Sequence, residues 1–155
     1  MNPLHANVQS IAVGHFQEDH LDEHLRRRAI ELGPEGVIEE LSLSNLRGRG
    51  GAAFPTHVKL SVPEGKRARF FIVNAAECEP YLNSDFRTML EQTDAVFEGI
   101  RICMKILGAE RAYLGTETNK AEAIDLLRRT MPADLPCEVI ALETKYPQGA
   151  EKMLI

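Results

Sequence analysis

The chain has 155 residues, of which 44% are hydrophobic and 26% are charged, and this composition is typical of a soluble globular protein. Its 18 lysines and arginines against 23 aspartates and glutamates give a formal net charge of −5. Nucleic-acid-binding proteins usually carry a basic surface, so this balance argues against nucleic acid as a partner. The length predicts one domain, because a domain usually contains roughly 100–200 residues.

Neither a membrane span nor a disulfide framework is predicted. The longest apolar runs, such as residues 70–73, are far shorter than the ~18 residues that cross a bilayer. The N-terminus has neither the basic start nor the apolar stretch of a signal peptide. Cys78, Cys103 and Cys137 are odd in number and widely spaced, which indicates neither disulfides nor a CxxC metal motif. We therefore predict a protein of the reducing cytoplasm.

The first third of the chain predicts helices and a glycine-rich loop. Apolar residues within 8–13 indicate one short strand, and the leucine stripe of residues 18–32 predicts an amphipathic helix. Gly33 ends this helix, while Pro34 suits the first turn of the next one. Residues 46–56 then form a loop that contains three glycines within four positions.

The remainder alternates between strand and helix patterns. Strands are predicted at 69–73 (buried), 111–115 and 137–142, and helices at 95–107, 121–129 and from 149 onward. This alternation favours a parallel sheet with right-handed crossovers and hence an α/β fold. The apolar end, residues 153–155, carries no helix-stop signal, from which we expect a truncated chain.

Ligands of open parallel sheets bind beyond the carboxyl ends of the strands. That rule selects the segments 74–81, 116–119 and 143–151. Glu77 and Glu79, which bracket Cys78, could accept hydrogen bonds from sugar-like hydroxyls, and a solvated acidic turn is the equally weighted alternative. No neighbouring base is visible that would make Cys78 a nucleophile.

The glycine-rich loop is a candidate phosphate site. Gly48, Gly50 and Gly51 allow backbone N–H groups to approach an anion closely, and a mobile glycine hinge is the alternative. A helix that starts near Thr56 would add its positive end, and Lys59 would add a charge. The spacing also fits the G-x-G-x-x-A dinucleotide fingerprint, but a predicted helix precedes it where that motif requires a strand.

A zinc site is a remote alternative. His20 and His24 fit the H-x-x-E-H spacing, in which both would bind zinc and Glu23 would act as the base. Acidic residues and three consecutive arginines crowd the same turns. That composition favours an exposed amphipathic helix over a zinc hydrolase, and no metal site is predicted.

Three segments together resemble one flavoprotein family. They are residues 48–59 (GRGGAAFPTHVK), 74–81 (NAAECEPY) and 145–152 (KYPQGAEK). The first is similar to the signature shared by the flavin-bearing, NADH-oxidising subunit of respiratory complex I and the C subunit of Rnf electron-transport complexes. The other two are more similar to the Rnf version. The resemblance covers roughly residues 36–155.

This resemblance implies a fold, an activity and a set of partners. Residues 36–155 would form a three-layer FMN- and NADH-binding α/β domain, a mostly parallel sheet flanked by helices and incomplete at its C-terminus, after an N-terminal strand and amphipathic helix in residues 1–35. The family transfers a hydride from NADH to FMN, and electrons then leave through iron–sulfur clusters, which would lie in absent regions or partner subunits. The chain would be an oxidoreductase component of a membrane-associated complex, cytoplasmic and peripheral to the inner face of the membrane. A non-catalytic fragment or assembly module is the alternative.

The resemblance also implies the binding residues. The loop at 48–59 would hold FMN, with Lys59 near its phosphate and Phe54 near the nicotinamide. No side chain need act as an acid or base, because the flavin carries the chemistry. Ala53 stands where a glycine is usual in the family. The cofactor-binding residues implied are Gly48, Arg49, Gly50, Gly51, Ala52, Phe54, Lys59, Asn74, Glu77, Glu79, Gly149 and Glu151.

Overall fold

The structure, a computed structural model, describes residues 19–48, 52–62, 66, 68–77, 79 and 81–154, without the side chains of residues 19–23 and 151. The chain divides into two compact units, which are Met1–Arg67 with Lys105–Gly108 and Ala68–Met104 with Ala109–Ile155. The strand predicted within residues 8–13 lies outside the described residues. The division into domains at residue 35 stays a prediction.

The first unit contains α1 (Asp19–Leu43) and the short α2 (Thr56–Leu60), which pack against each other. α1 consists of two helical segments joined at Gly33, whose φ of 67° and ψ of 177° interrupt the helix. Glycine adopts this positive φ without the steric cost of a Cβ, and Pro34 then enters the following turn. The predicted break between two helices is therefore confirmed. Arg28 and Glu40, one from each segment, form an ion pair of 2.8 Å.

The second unit is built on a parallel three-stranded sheet of order β1-β2-β3, which confirms the predicted α/β class. The sheet is flanked by helices, and a 3₁₀ turn, Thr118–Lys120, precedes α5. The sequence patterns do not predict α3, because its residues follow Pro80 in a stretch assigned to a loop. The elements are β1 (Phe70–Asn74), α3 (Ser84–Glu91), α4 (Thr93–Leu107), β2 (Arg111–Glu117), α5 (Ala121–Thr130), β3 (Cys137–Leu142) and α6 (Glu151–Leu154).

The hydrophobic core of this unit joins the central strand to α4 and α5. Alternate β2 residues contribute to it, because successive side chains of a strand point to opposite faces. Leu114 on β2 and Leu127 on α5 are fully buried in this core. Its other members include Met89, Phe97, Ile100, Met104, Ala112, Ala123, Ile124, Leu135 and Val139.

The prediction that the first strand is buried is wrong for one of its two faces. β1 lies at one end of the strand order, and its burial alternates along the strand. Phe70 and Ile72 keep 50% and 38% of their surface exposed, while Phe71 and Val73 pack against the core. A short apolar run therefore marks the strand correctly, but not its position in the sheet, since run length carries no information on strand order.

Gly115 in β2 permits a close approach of α6 to the sheet. A Cβ at this position would lie 3.0 Å from Cδ1 of Leu142 and 3.2 Å from Cδ1 of Leu154. Gly99→Ala in α4 is the matched control, because a Cβ there has no atom within 4 Å. Gly99→Ala should raise the free energy of unfolding by roughly 0.5–1 kcal/mol. We expect Gly115→Ala to be less favourable than this control, because the two leucine side chains must move to accommodate the Cβ. Urea denaturation measures both, and an equal or larger gain at Gly115 would contradict the packing assigned to it.

Candidate functional site

The carboxyl ends of the three parallel strands lie at one edge of the sheet, where the second unit contains a cleft of about 340 Å³. Small-molecule sites usually measure roughly 300–1,000 Å³, so the cleft is large enough for part of a nucleotide. All three segments selected by the strand-end rule contribute to it. The lining residues are Glu77, Glu79, Tyr81, Leu82, Asn83, Glu117, Asn119, Lys120, Thr144, Lys145 and Tyr146.

Two predicted site residues that are 75 positions apart in sequence meet at this edge. Asn74 is the last residue of β1, and its side-chain amide donates a hydrogen bond of 2.8 Å to the carbonyl of Gly149. The Asn74 Oδ1 atom also accepts a hydrogen bond from the backbone N–H of Ala76 at 3.2 Å. Asn74 thus fixes the start of the loop after β1 and ties it to the loop after β3.

Glu77 caps the N-terminus of α3. Its Oε1 atom accepts hydrogen bonds from the Ser84 hydroxyl at 3.0 Å and from the backbone N–H of Asp85 at 3.1 Å. The first N–H groups of a helix have no partner within the helix, and a carboxylate satisfies them while it interacts favourably with the helix dipole. Glu77 therefore replaces the missing cap, since Asn83 at the N-cap position makes no side-chain capping bond.

Lys120 completes this arrangement from the other side of the cleft. Its ammonium lies 3.6 Å from Oε2 of Glu77, donates a hydrogen bond of 3.1 Å to Oδ1 of Asn83, and sits 4.9 Å from the ring centre of Phe86. The side chains of Glu77 and Lys120 are only 5% and 12% exposed. The pair thus joins the loop after β1 to the turn after β2.

The pKa values of the two carboxyl groups near the α3 N-terminus shift in opposite directions. Burial raises the pKa of Glu77, but its hydrogen bonds to Asp85, Ser84 and Phe86 and the charge of Lys120 together bring it below the usual value. Burial and the neighbouring Glu77 carboxylate raise the pKa of Asp85. At neutral pH, Glu77 is consequently the charged cap.

Glu117 is a buried residue that lines the cleft, and it is not among the predicted binding residues. It is the last residue of β2 and only 3% exposed. Its side chain makes no hydrogen bond or ion pair with any residue that the structure describes. The strand-end rule selects segment 116–119, but the sequence does not show that the Glu117 side chain is buried.

Aromatic and polar side chains form the rim of the cleft. Tyr81 and Tyr146 are 102% and 83% exposed, and Glu79 is also exposed. The backbone N–H of Asn119 donates to the hydroxyl of Thr144 at 3.2 Å, which links the segments after β2 and β3. Exposed tyrosine rings beside polar groups can pack on a planar ligand and hydrogen-bond with it.

In the first unit, the glycine-rich loop is closed at its base like a hairpin. The backbone N–H of Gly48 donates to the carbonyl of Phe54, and that of Thr56 donates to the carbonyl of Leu46, both at 2.9 Å. The Arg47 guanidinium donates to the carbonyl of Ala53 at 3.2 Å. Of the predicted binding residues here, Ala52, Phe54 and Lys59 are exposed, whereas Arg49, Gly50 and Gly51 lie outside the described residues.

Ala53 adopts a backbone conformation that favours glycine. Its φ of 49° lies in the left-handed region, where a Cβ carries a steric cost. This is the position at which the resembling family usually has glycine, so the departure from the family pattern falls where the backbone turns tightly. The predicted helix start at Thr56 is confirmed by α2.

The structure describes Glu151 and the two histidines of the zinc alternative only in part. Glu151 is the first residue of α6, but its side chain is not described. His24 is exposed, and the side chain of His20 is not described. Within the described part of the chain, no group of three or more His, Cys, Asp or Glu side chains could hold a metal ion.

The two described cysteines carry free, partly buried thiols. Cys103 and Cys137 are free, and burial raises the pKa of the Cys103 thiol to about 11. A thiol with that pKa stays protonated at neutral pH and is a weak nucleophile. Cys78 lies outside the described residues.

Over the part of the chain that the structure covers, no helix has the length and apolar character needed to cross a membrane.

Several curated proteins are similar in sequence to this chain. The chain is 50% identical over 120 residues to the C subunit of the proton-translocating ferredoxin:NAD(+) oxidoreductase complex of Clostridium ljungdahlii, an alignment that covers 77% of this chain and 25% of that protein. It is 36% identical to the C subunit of the Na(+)-translocating ferredoxin:NAD(+) oxidoreductase complex of Acetobacterium woodii, over 99% of this chain and 39% of that protein. The C subunit of an ion-translocating oxidoreductase complex of Haemophilus influenzae is 40% identical over 91% of this chain and 22% of its own length.

The chain therefore spans less than two fifths of each of these relatives. A comparison with protein-family models independently matches residues 41–155, which is most of the chain and includes all three segments that carry the resemblance. The resemblance stated from those segments is confirmed: the chain belongs to the family of the Nuo51 FMN-binding domain and is related to the C subunits of Rnf-type ion-translocating oxidoreductase complexes.

Proposed function

We propose that this chain is an FMN-binding, NADH-oxidising part of an Rnf-type electron-transport complex. The observation that carries the proposal is the match to the Nuo51 FMN-binding domain over residues 41–155, a range that includes the glycine-rich loop and all three strand-end segments. Relatives are named as subunits of ferredoxin:NAD(+) oxidoreductase complexes, which supports a nicotinamide nucleotide as the second ligand. Partner subunits of a membrane-associated complex belong to the same proposal.

The chemistry of the cleft is compatible with the ring and the hydroxylated chain of a flavin nucleotide. Glu79 and Glu117 offer carboxylate acceptors for hydroxyl or N–H groups, and Asn119 offers an amide. The exposed rings of Tyr81 and Tyr146 are available to a planar ring system. Both described cations of the lining are near carboxylates, Lys120 near Glu77 and Lys145 near Glu143, so the cleft offers little to a phosphate.

The glycine-rich loop of the first unit, considered by itself, is the segment proposed to bind a phosphate group. Arg47 and Lys59 bring positive charge to this loop and to α2. Backbone N–H groups next to glycines can approach a phosphate closely, and an ammonium adds a charge-assisted hydrogen bond. Gly48, Arg49, Gly50, Gly51 and Lys59 form the proposed phosphate-binding segment.

Bound FMN would supply the redox chemistry in this proposal, with NADH as the hydride donor, released as NAD⁺, and iron–sulfur clusters in partner subunits or other parts of the parent protein as the one-electron acceptors. The chain's own residues bind and orient the two ligands and exclude water. Asn74 and Gly149 hold the loops at the carboxyl ends of β1 and β3 together and so support the shape of the cleft.

Titration of the purified chain with FMN tests the proposal, followed by anaerobic addition of NADH. We expect flavin absorbance bands to remain with the protein after gel filtration, and NADH to bleach them. Absence of FMN binding at high micromolar concentration would favour the alternative of a non-catalytic fragment or assembly module. FMN binding without bleaching would support the flavin site but contradict NADH oxidation by this chain.

A further inference from the structure

Glu117 stands apart from the other carboxylates of the cleft because its residue is almost fully buried, lines the cleft and is held by no described side chain. Its residue is 3% exposed, and its side chain has neither a hydrogen bond nor an ion pair within the described residues. Glu77, in contrast, is engaged by Ser84, Asp85 and Lys120. The Glu117 oxygens are not fully enclosed by protein, so they remain accessible from the cleft and can accept hydrogen bonds from a ligand there.

The strand geometry places Glu117 on the ligand side of the sheet. Ala112, Leu114 and Thr116 alternate along β2 as buried residues of the core face. Glu117 falls in the opposite alternation, with Tyr113 and Gly115, and it lines the cleft. Its burial is therefore a property of the cleft wall, not of the hydrophobic core.

The surroundings of Glu117 define the chemistry of its partner. Asn119 and the Thr144 hydroxyl lie in the same wall, and the exposed Glu79 is on the rim. A carboxylate accepts two or more hydrogen bonds and repels a phosphate, so it suits neighbouring hydroxyl groups. Such hydroxyls occur on the ribityl chain of a flavin and on the ribose of a nicotinamide nucleotide.

We propose that Glu117 is a ligand-binding residue whose carboxylate accepts hydrogen bonds from vicinal hydroxyl groups of a nucleotide. This extends the proposed function, on which it rests for the identity of the ligands. Glu77 has a different role in the same cleft, because it holds α3 and Lys120 in place. The two roles predict different consequences for substitution.

Glu117→Gln tests the assignment in the full chain. It keeps the size of the side chain but removes the charge and one acceptor oxygen, and we expect binding of hydroxylated ligands to weaken about tenfold. Riboflavin and lumiflavin share a ring, but only riboflavin carries the ribityl chain. NADH and N-methyl-dihydronicotinamide likewise share the dihydronicotinamide ring, but only NADH carries the ribose. A selective loss for riboflavin would identify the ribityl chain as the partner, and a selective loss for NADH would identify the ribose.

Stability provides the second readout. Because the Glu117 side chain has no partner among the described residues, Glu117→Gln should not lower the unfolding midpoint, whereas loss of a purely structural Glu117 would lower it. Glu138→Gln is the charge-matched control, because Glu138 is exposed on β3 near the opposite end of the strands. It should alter neither readout.

Two results would overturn the assignment. One is equal affinity of the unsubstituted chain and Glu117→Gln for every hydroxylated probe, and the other is failure of the unsubstituted chain to bind any of them. A Glu117-dependent affinity without flavin reduction by NADH would retain the binding role and contradict only the NADH-oxidising function.

Discussion

Glu77→Ala should lower the free energy of unfolding by about 3–5 kcal/mol. The substitution removes the acceptor for the Ser84 hydroxyl and the Asp85 N–H and leaves the nearly buried Lys120 ammonium without its carboxylate. A lost helix cap alone costs about 1 kcal/mol, so the buried charge accounts for most of the loss. Chemical denaturation, monitored by circular dichroism, measures this change in the free energy of unfolding.

Two further variants separate the cap from the ion pair. Glu77→Gln retains an oxygen for the α3 N-terminus but loses the charge, and Lys120→Met removes the ammonium while it keeps the side-chain length. If the two residues act as a pair, the double variant should be less destabilised than the sum of the single variants. Glu79→Gln is the control, because Glu79 is exposed and should change stability by less than about 0.5 kcal/mol. Equal losses at positions 77 and 79 would contradict the structural role of Glu77.

The same group predicts a pH dependence. The pKa of Glu77 is lower in the folded chain than its ordinary value of 4.5, so its ionised form stabilises the fold. This contribution is fully present above pH 4.5 and is lost as the pH falls through the lower folded pKa. The stability difference between the unsubstituted chain and Glu77→Gln should therefore be constant near neutral pH and shrink below pH 4.5. A stability difference that stays constant below pH 4.5 would show that the charge of Glu77 does not account for it.

Lys59→Ala should weaken FMN binding by about tenfold to a hundredfold, because a hydrogen bond to a charged group contributes roughly 1.5–3 kcal/mol. Lys59 is exposed in the last turn of α2, directly after the glycine-rich loop. The effect should also diminish with added salt, since exposed charges are screened. Isothermal titration with FMN at two salt concentrations measures both changes.

Riboflavin supplies the chemical control, because it lacks only the phosphate of FMN. Its affinity should be the same in the unsubstituted chain and in Lys59→Ala. Lys66→Ala removes an exposed lysine of the same unit and should bind FMN normally. A parallel loss of riboflavin and FMN binding would show that Lys59 supports the loop and does not contact the phosphate.

Local patterns predict most of the elements. The Gly33-Pro34 break, the helix that ends before Gly108 and the strand at 137–142 follow from turn signals and apolar periodicity, which depend on residues close together in sequence. α3 is not predicted because it has only eight residues, so that Phe86, Met89 and Leu90 give a single i, i+3, i+4 repeat. Its cap also comes from Glu77, seven positions before Ser84. The edge position of β1 likewise depends on strand order, which periodicity does not contain.

The sequence by itself determined the family of this protein and the three segments expected at its binding site, because glycine spacing and strand-end residues are local features. Only the tertiary structure decided what individual side chains do there. The pairing of Glu77 with Lys120 joins residues of two separate strand–helix connections, and the cleft that Glu117 lines is formed by all three. Such contacts depend on which strands are neighbours, and that arrangement is set by packing of the whole sheet and not by any local run of residues.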